Sequence, residues 1–262
     1  MALIAAFLSQ GSANLTPDFE IKFLLKSEEV LNPNHEFNDA LRSVFTSEPT
    51  VTKINVIFMD TDSKTLYQAR WSARIRKKED MPTFELTYKK RYTIVGENID
   101  AALTAANDDG FDASLANKYE AQVEWGYEKM TLSLSHEKEV PDSGSDGTTL
   151  PDVKSVRGMI AGEAPDELGN WGKDALREAR VYGPILTTRL VGKWKGTKLT
   201  VEVWPIVIAA EGRPVYIVEA SVKAGTKDQA GERRGALEEL LRGKGWLCPR
   251  DSLKTQLIMD NY

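Results

Sequence analysis

The sequence predicts an α+β protein in which roughly eight or nine antiparallel strands form the frame and helices lie between and after them. Three observations predict it. Many short segments alternate apolar with charged or polar side chains, the period of a strand with one face buried. Other segments, above all toward the C-terminus, place apolar groups at helical spacing. No unit of 20 to 50 residues recurs, which sets aside repeat architectures.

The chain opens with "MALIAAFLSQ", which is apolar but lacks a basic start and is too short to span a bilayer. Residues 1–16 therefore read as an N-terminal extension, and no membrane segment is expected. "DFEIKF" at 18–23 puts Asp18, Glu20 and Lys22 on one face of a strand and Phe19, Ile21 and Phe23 on the other. Ser27 followed by Glu28 and Glu29 marks a helix start, and "NHEFNDALRSVF" extends that reading over much of 27–46. The strands that follow are "KINVIFMD", "LYQARWSARIRKK", "TFELTYKKRY", "YEAQVEW" and "MTLSLS". "VGENIDAALTAANDDGFDASLAN" interrupts them with a short helix and a loop. Residues 138–153, rich in Pro, Gly, Ser and Asp, read as a flexible exposed loop. After it come a helix in "APDELGNWGKDALREAR", three strands in "ILTTRLVGKW", "KLTVEVWPIVI" and "PVYIVEASV", and two terminal helices in "DQAGERRGALEELLRG" and "DSLKTQLIMDN".

Composition narrows the chemistry. The 262 residues are 41% hydrophobic and 28% charged, an ordinary folded composition, and the net charge of −5 argues against a non-specific nucleic-acid binder. One cysteine, Cys248, excludes an intrachain disulfide and fits a reducing, cytoplasmic setting; its "GWLCPR" turn reads as structural. His35 and His136 are too few for a His-rich zinc site or a histidine triad. Any metal here should be a hard cation held by carboxylates.

The alternation recurs strand after strand. Arg70, Ser72, Arg74 and Arg76 oppose Trp71, Ala73 and Ile75; Glu85, Thr87, Lys89 and Arg91 oppose Phe84, Leu86 and Tyr88. Lys118, Glu120, Gln122 and Glu124 oppose Tyr119, Ala121, Val123 and Trp125. Later strands add Arg189, then Lys198, Thr200 and Glu202, then Glu219 and Ser221. For any one strand, a wet outer face accounts for this. Accumulated over the sheet, both signs of charge point to a sheet curled shut around a polar interior. Charges in an interior are costly unless paired or met by a ligand. Cations mixed with carboxylates ask for an anion with divalent metal between it and the acids, and phosphate suits both arginine forks and Mg²⁺. "GEAPDELGN" and "VGKWKGTK" lack the spacing of a Walker-type loop, so strands must build the site.

In their order along residues 18–257, these motifs resemble those of the CYTH superfamily, the triphosphate tunnel metalloenzymes, which includes thiamine-triphosphatase-like and inorganic triphosphatase members. Asp18, Glu20 and Lys22 resemble its opening E-x-E-x-K. "FMDTDSKTLYQARWSARIRKKED" is similar to its Asp-Thr turn, Leu and R-x-R pair, here Arg74 and Arg76; "ELTYKK" is similar to its T-x-K, here Thr87 and Lys89. "KYEAQ" stands where R-x-E-x-E is usual, Arg189 and Glu202 where an Arg and a strand Asp are usual, and "VEAS" where a late E-x-E is usual. "DSLKTQL" resembles the Ser-rich start of a C-terminal helix.

The resemblance implies one domain over 1–262, folded as a closed antiparallel tunnel of eight strands with flanking helices. It implies Mg²⁺ or Mn²⁺ held by Asp18, Glu20, Glu120, Glu202 and Glu219, and phosphates gripped by Arg74, Arg76, Lys89, Arg91, Lys118 and Arg189. Glu20 and Lys22 would be catalytic. Asp18, Gln122 and Ser221 depart from the pattern, which reduces the acids available and puts a two-metal site in doubt.

Three functions remain open. The first is metal-dependent hydrolysis of a small triphosphate substrate, with metal-polarised water attacking the terminal phosphorus. The second is a lyase or cyclase that ionises an isoprenoid diphosphate, because Val191, Trp204 and Ile217 share the inward phase and aromatics stabilise cations. A plug closing one tunnel end accounts for the same three residues. The third is a non-catalytic polyphosphate- or nucleotide-binding module. No nucleic-acid or membrane partner is expected, and the sequence leaves the oligomeric state open.

Overall fold

A computed structural model describes residues 12–142, 144, 147–251 and 254–262. Nine long strands carry the fold: β1 (Asp18–Leu25), β2 (Thr50–Asp60), β3 (Trp71–Lys78), β4 (Thr83–Ile94), β5 (Glu120–Trp125), β6 (Met130–Pro141), β7 (Arg180–Trp194), β8 (Thr197–Ile208) and β9 (Arg213–Ala224). A two-residue β10 (Leu247–Cys248) adds to the edge of β1. The helices are α1 (Ser27–Val30), α2 (Asp39–Arg42), α3 (Thr65–Gln68), α4 (Ile99–Asp108), α5 (Val153–Gly162), α6 (Gly169–Glu178), α7 (Lys227–Gly243) and α8 (Lys254–Asn261).

The strands run β1-β5-β6-β4-β3-β2-β7-β8-β9 and close where β9 pairs with β1. Every junction is antiparallel except β1–β5, which is parallel. Here the structure corrects the expected all-antiparallel ring of eight. A closed ring with an odd number of strands cannot alternate direction all the way round, so nine strands require one parallel junction.

The core is divided by the barrel wall. Outward-facing residues such as Ile21, Ile75, Leu86, Val123 and Leu134 join one large cluster under the helices. Removing each from water contributes about 1.5–3 kcal/mol. Tyr88 fastens the wall to α5 by donating from its hydroxyl to the Ile160 carbonyl at 2.6 Å. A second cluster shares the inward phase at one end: Leu24, Ile54, Val56, Phe58, Trp204, Ile206 and Ile217, packed against Ile258 and Met259 of α8. Ile217 belongs to this plug and is not part of the cavity wall, whereas Val191 and Trp204 face the cavity.

Three local expectations give way. The helix foreseen over 27–46 is two short helices, because Asn32 precedes Pro33 and its side-chain oxygen accepts from the amides of Asn34 and Glu36, closing a turn between them. The strand expected from Leu66 starts only at Trp71. Buried Asp60 accepts from the amides of Thr61, Leu66 and Tyr67, which turns 65–68 into α3. The flexible segment expected over 138–153 is shorter at both ends: β6 continues through Pro141 in register with β4, and Asp152 caps α5 by accepting from the amides of Lys154 and Ser155. Residues 143, 145 and 146 of that segment, residues 1–11 of the N-terminal extension, and Ser252 and Leu253 of the C-terminal motif lie outside the described residues.

Beside the parallel junction, Asp251 accepts from the amides of Tyr127 (2.6 Å) and Glu128 (3.3 Å), linking the β5–β6 turn to the C-terminal segment. A side chain at Gly126 would run into the Asp251 carboxylate, its Cβ lying 2.1 Å from Oδ1. Any larger residue would displace that carboxylate from the two amides.

Candidate active site

The inward phase of the strands lines a cavity of about 840 Å³. Its wall carries eleven Lys and Arg side chains and seven Asp and Glu side chains, a formal excess of four positive charges in a chain whose net charge is −5. The excess suits an anion.

Two charge groups occupy the interior. On β1, Lys22 Nζ lies 2.8 Å from Glu20 and 3.4 Å from Glu124 of β5, which stands directly opposite Glu20 across the parallel junction. Glu124 also takes Lys89 of β4 at 2.9 Å and the Ser133 hydroxyl at 2.8 Å. Burial raises the pKa of both carboxylates, but the cations outweigh it: Lys22 holds Glu20 below the usual range, and Lys22 with Lys89 and Arg91 holds Glu124 well below it. Burial likewise opposes the charge on Lys22, yet Glu124, Glu20 and Glu219 lift its pKa above the ordinary value. Lys89 differs. Burial outweighs Glu124, and with Lys22, Arg91 and Arg74 nearby its pKa falls to about 8.

The second group lies across β7, β8 and β9. Glu202 receives Arg189 at 2.7–2.8 Å, the Trp204 indole N–H at 2.9 Å and Lys254 of α8 at 3.6 Å; Lys254 also bonds Glu219 at 2.7 Å. Burial raises the Glu202 pKa, but Lys254 and Arg189 bring it far below normal.

Arg74 lies between the groups and among the described residues makes no ion pair; its Nε is buried without a partner. Burial, opposed by Glu137 and Glu202, lowers its pKa from the ordinary value. A buried guanidinium without a counter-ion is costly, and an anion in the cavity would relieve that cost. Arg76 bonds Glu85, with Glu137 at 3.5 Å, and Arg91 donates to the Ser72 hydroxyl at 3.0 Å.

Of the residues singled out in the sequence, Glu20, Lys22, Arg74, Arg76, Lys89, Arg91, Arg189, Glu202 and Glu219 line this cavity. Glu120 sits at its rim, half-exposed and paired with Lys223 at 2.8 Å. Two expectations fail on position. Asp18 starts β1 on the exposed surface, outside the cavity lining. Lys118 precedes β5 and pairs with Glu167 at 2.7 Å on the outer side. Sequence reasoning placed Glu124 on the charged face but gave it no role, and it missed Lys223 and Lys254. Glu124 and Lys223 share the phase of Gln122 and Ser221, so alternation pointed to them and the motif alone passed them over. Lys254 comes from a helix, where strand alternation has no say.

Among the described residues no three carboxylates or imidazoles converge as a metal cluster. Mg²⁺ that keeps its waters and binds substrate phosphates needs only one or two carboxylates. The contacts of Glu20 with Lys22 and Gln122 fall on Oε2, which leaves Oε1 open to a ligand, and among the described residues Glu219 Oε2 is buried without a partner. Glu20 can offer that open oxygen to a single divalent ion shared with a phosphate ligand, whereas Glu219 stands opposite Leu24, four residues further along β1, and bonds Lys254. Gln122 adds no charge; its amide, oriented to donate to Glu20 Oε2 at 2.9 Å and accept from Lys223 at 3.3 Å, bridges acid and base.

No protein-family profile matches the sequence, and no curated protein matches it. Solved structures do. A Hippeastrum protein, described as an adenylyl cyclase candidate with a dominant triphosphatase activity, superposes over 93% of this chain and 96% of its own, at TM-score 0.56 and 15% identity. A Bacillus halodurans protein described as an adenylate cyclase candidate covers 94% of this chain and 98% of its own at 12% identity, with TM-score 0.49. The likeness to the Hippeastrum protein is one of fold. It agrees with the closed tunnel expected from the motifs.

Proposed function

We propose that the tunnel binds the phosphate chain of a triphosphate-bearing substrate and hydrolyses its terminal phosphoanhydride. The observation that carries this reading is Arg74, a half-buried cation that lines a cavity with excess positive charge, makes no ion pair among the described residues and has its Nε buried without a partner.

In this reading Arg74, Arg76, Arg91 and Arg189 grip phosphate oxygens through their planar forks, and Lys89 adds a point charge. Glu20 would hold Mg²⁺ or Mn²⁺, which would supply neutralisation of phosphate charge and polarise water. The Glu20 oxygen without a protein partner orients the attacking water. Held ionised by Lys22, it is a weak base, which suffices because a loose phosphoryl transition state needs little proton abstraction. Lys22 stays charged and stabilises the oxygens around the reacting phosphorus. Water oxygen bonds to the terminal phosphorus, the bridging P–O bond breaks toward the diphosphate, and the water proton leaves to a phosphate oxygen or solvent.

One observation favours a second reading. Leu24, Phe58, Trp204 and Ile258 line the cavity while belonging to the apolar plug, which would suit the hydrocarbon of an isoprenoid diphosphate ionised to pyrophosphate and a carbocation. Product analysis separates the readings. With Mg²⁺ present, orthophosphate from tripolyphosphate or a nucleoside triphosphate is the expected result. Pyrophosphate from a prenyl diphosphate supports the second reading, and tight binding without either product supports a binding module.

A further inference from the structure

We infer that Lys254, delivered into the tunnel by α8, is a tethered cation that takes the place of a divalent ion between Glu202 and Glu219. Those two carboxylates stand directly opposite each other across β8 and β9, both facing inward. Like charges in that position repel, so the pair needs a cation between them. The Lys254 ammonium supplies it, 2.7 Å from Glu219 and 3.6 Å from Glu202, and lies 4.8 Å from the centre of the Trp204 ring. With Arg189 on the other oxygen of Glu202, two carboxylates meet two cations. A further dication there would add unbalanced positive charge beside Arg74.

The position of the ammonium is set by packing. Ile258 and Met259, one turn further along α8, are buried in the plug. The Ala209 amide donates to the Asn261 side chain at 3.1 Å, the Val207 amide to the Tyr262 hydroxyl at 3.0 Å, and Arg180 to the Tyr262 carbonyl at 2.8 Å. The helix that seals one end of the tunnel thus also delivers a charge to its centre. Glu20 is left as the acid whose free oxygen faces the ligand, and the loaded site takes one divalent ion.

The inference rests on the proposed phosphate-binding role only in its second test arm. In the first, Mn²⁺ binding without anion is followed by electron paramagnetic resonance for the full chain and for Lys254→Met, Lys254→Arg and Lys254→Met/Glu219→Gln. Lys254→Met is expected to gain one Mn²⁺ site at least tenfold tighter than any in the parent. Lys254→Arg should gain none, and Glu219→Gln should abolish the gain. A parent that already binds as many ions as Lys254→Met, or a Lys254→Met protein with no gain, overturns the inference. Should Lys254→Met fail to fold, Glu202→Gln/Lys254→Met, which removes one of the repelling acids, supplies the same comparison against Glu202→Gln. In the second arm, calorimetry with tripolyphosphate in EDTA should show at least tenfold weaker binding by Lys254→Met, with Mn²⁺ restoring most of it. Equal binding by parent and variant counts against Lys254. Absence of binding by the parent with or without Mn²⁺ counts against the phosphate reading and leaves the first arm to decide on Lys254.

Discussion

Two regions share the inside of one barrel and are built oppositely. On β8 the inward residues run Lys198, Thr200, Glu202 and then Trp204, Ile206; on β9 they run Lys223, Ser221, Glu219 and then Ile217. The same strands at the same phase supply charge at one end and an apolar plug at the other. β2 supplies Ile54, Val56 and Phe58 to the interior, directly across from Lys78, Arg76 and Arg74 of β3. The comparison teaches that one inner face can be built two ways: the apolar end contributes stability, and the charged end gathers both signs of charge around a cavity.

The largest expected effect breaks the stabilising end. Ile206 is fully buried in the plug, so Ile206→Ala should lower stability by about 2–5 kcal/mol in urea unfolding. An unchanged midpoint would mean that the plug is dispensable. At the charged end, Glu20→Gln keeps size but removes the anion, and we expect turnover to fall by about 10²–10³-fold while the melting temperature barely moves. Full turnover in that variant would dismiss Glu20 from the chemistry. Arg74→Ala should weaken tripolyphosphate binding by roughly 1.5–3 kcal/mol and leave the free protein no less stable, since a half-buried cation without an ion-pair partner among the described residues is removed. Marked destabilisation would show instead that Arg74 is a structural ion-pair member.

The pH response is smaller. Lys89, with its pKa lowered to about 8, carries a penalty in the folded state at low pH. Between about 8 and the ordinary amine value near 10.4 the unfolded chain holds the extra proton, so this group's contribution to stability rises with pH across that window. A bound phosphate chain should restore the charge. Calorimetry at pH 8.5 in buffers of different ionisation enthalpy is therefore expected to register uptake of a fraction of a proton, with none at pH 6.5; identical heats at pH 8.5 would contradict it. Smallest of all, Ser221→Ala should change turnover by less than Glu20→Gln, because a neutral hydroxyl is a poor ligand for Mg²⁺.

Much of this arrangement was legible in the sequence because strand alternation is strictly periodic. Once Glu20, Arg74, Lys89 and Glu219 share the polar phase, closing the sheet must bring them together. Periodicity fails where the chain leaves the strand. Lys118 keeps the phase of Glu120 but lies before β5 begins, so it turns outward to Glu167. Asp18 keeps the phase of Glu20 but sits at the exposed start of β1. Lys254 enters from a helix whose docking depends on contacts far along the chain, and local spacing carries no trace of them. The odd strand count was hidden for the same reason: ring closure is a property of the whole sheet.

The parallel junction has a mechanical consequence. Strand β1 is laddered to β9 at seven positions but to β5 at only four, and past Ile21 that side is held by the Asp251 carboxylate and the two residues of β10. The ring therefore has a seam. Opening it breaks fewer backbone bonds than opening any long antiparallel junction, so amides along β5 should exchange with solvent through a local event well below the free energy of global unfolding. At that seam the wall can part sideways while the rest of the barrel stays shut, once the contacts of Lys22 with Glu124 and of Gln122 with Glu20 across it are given up.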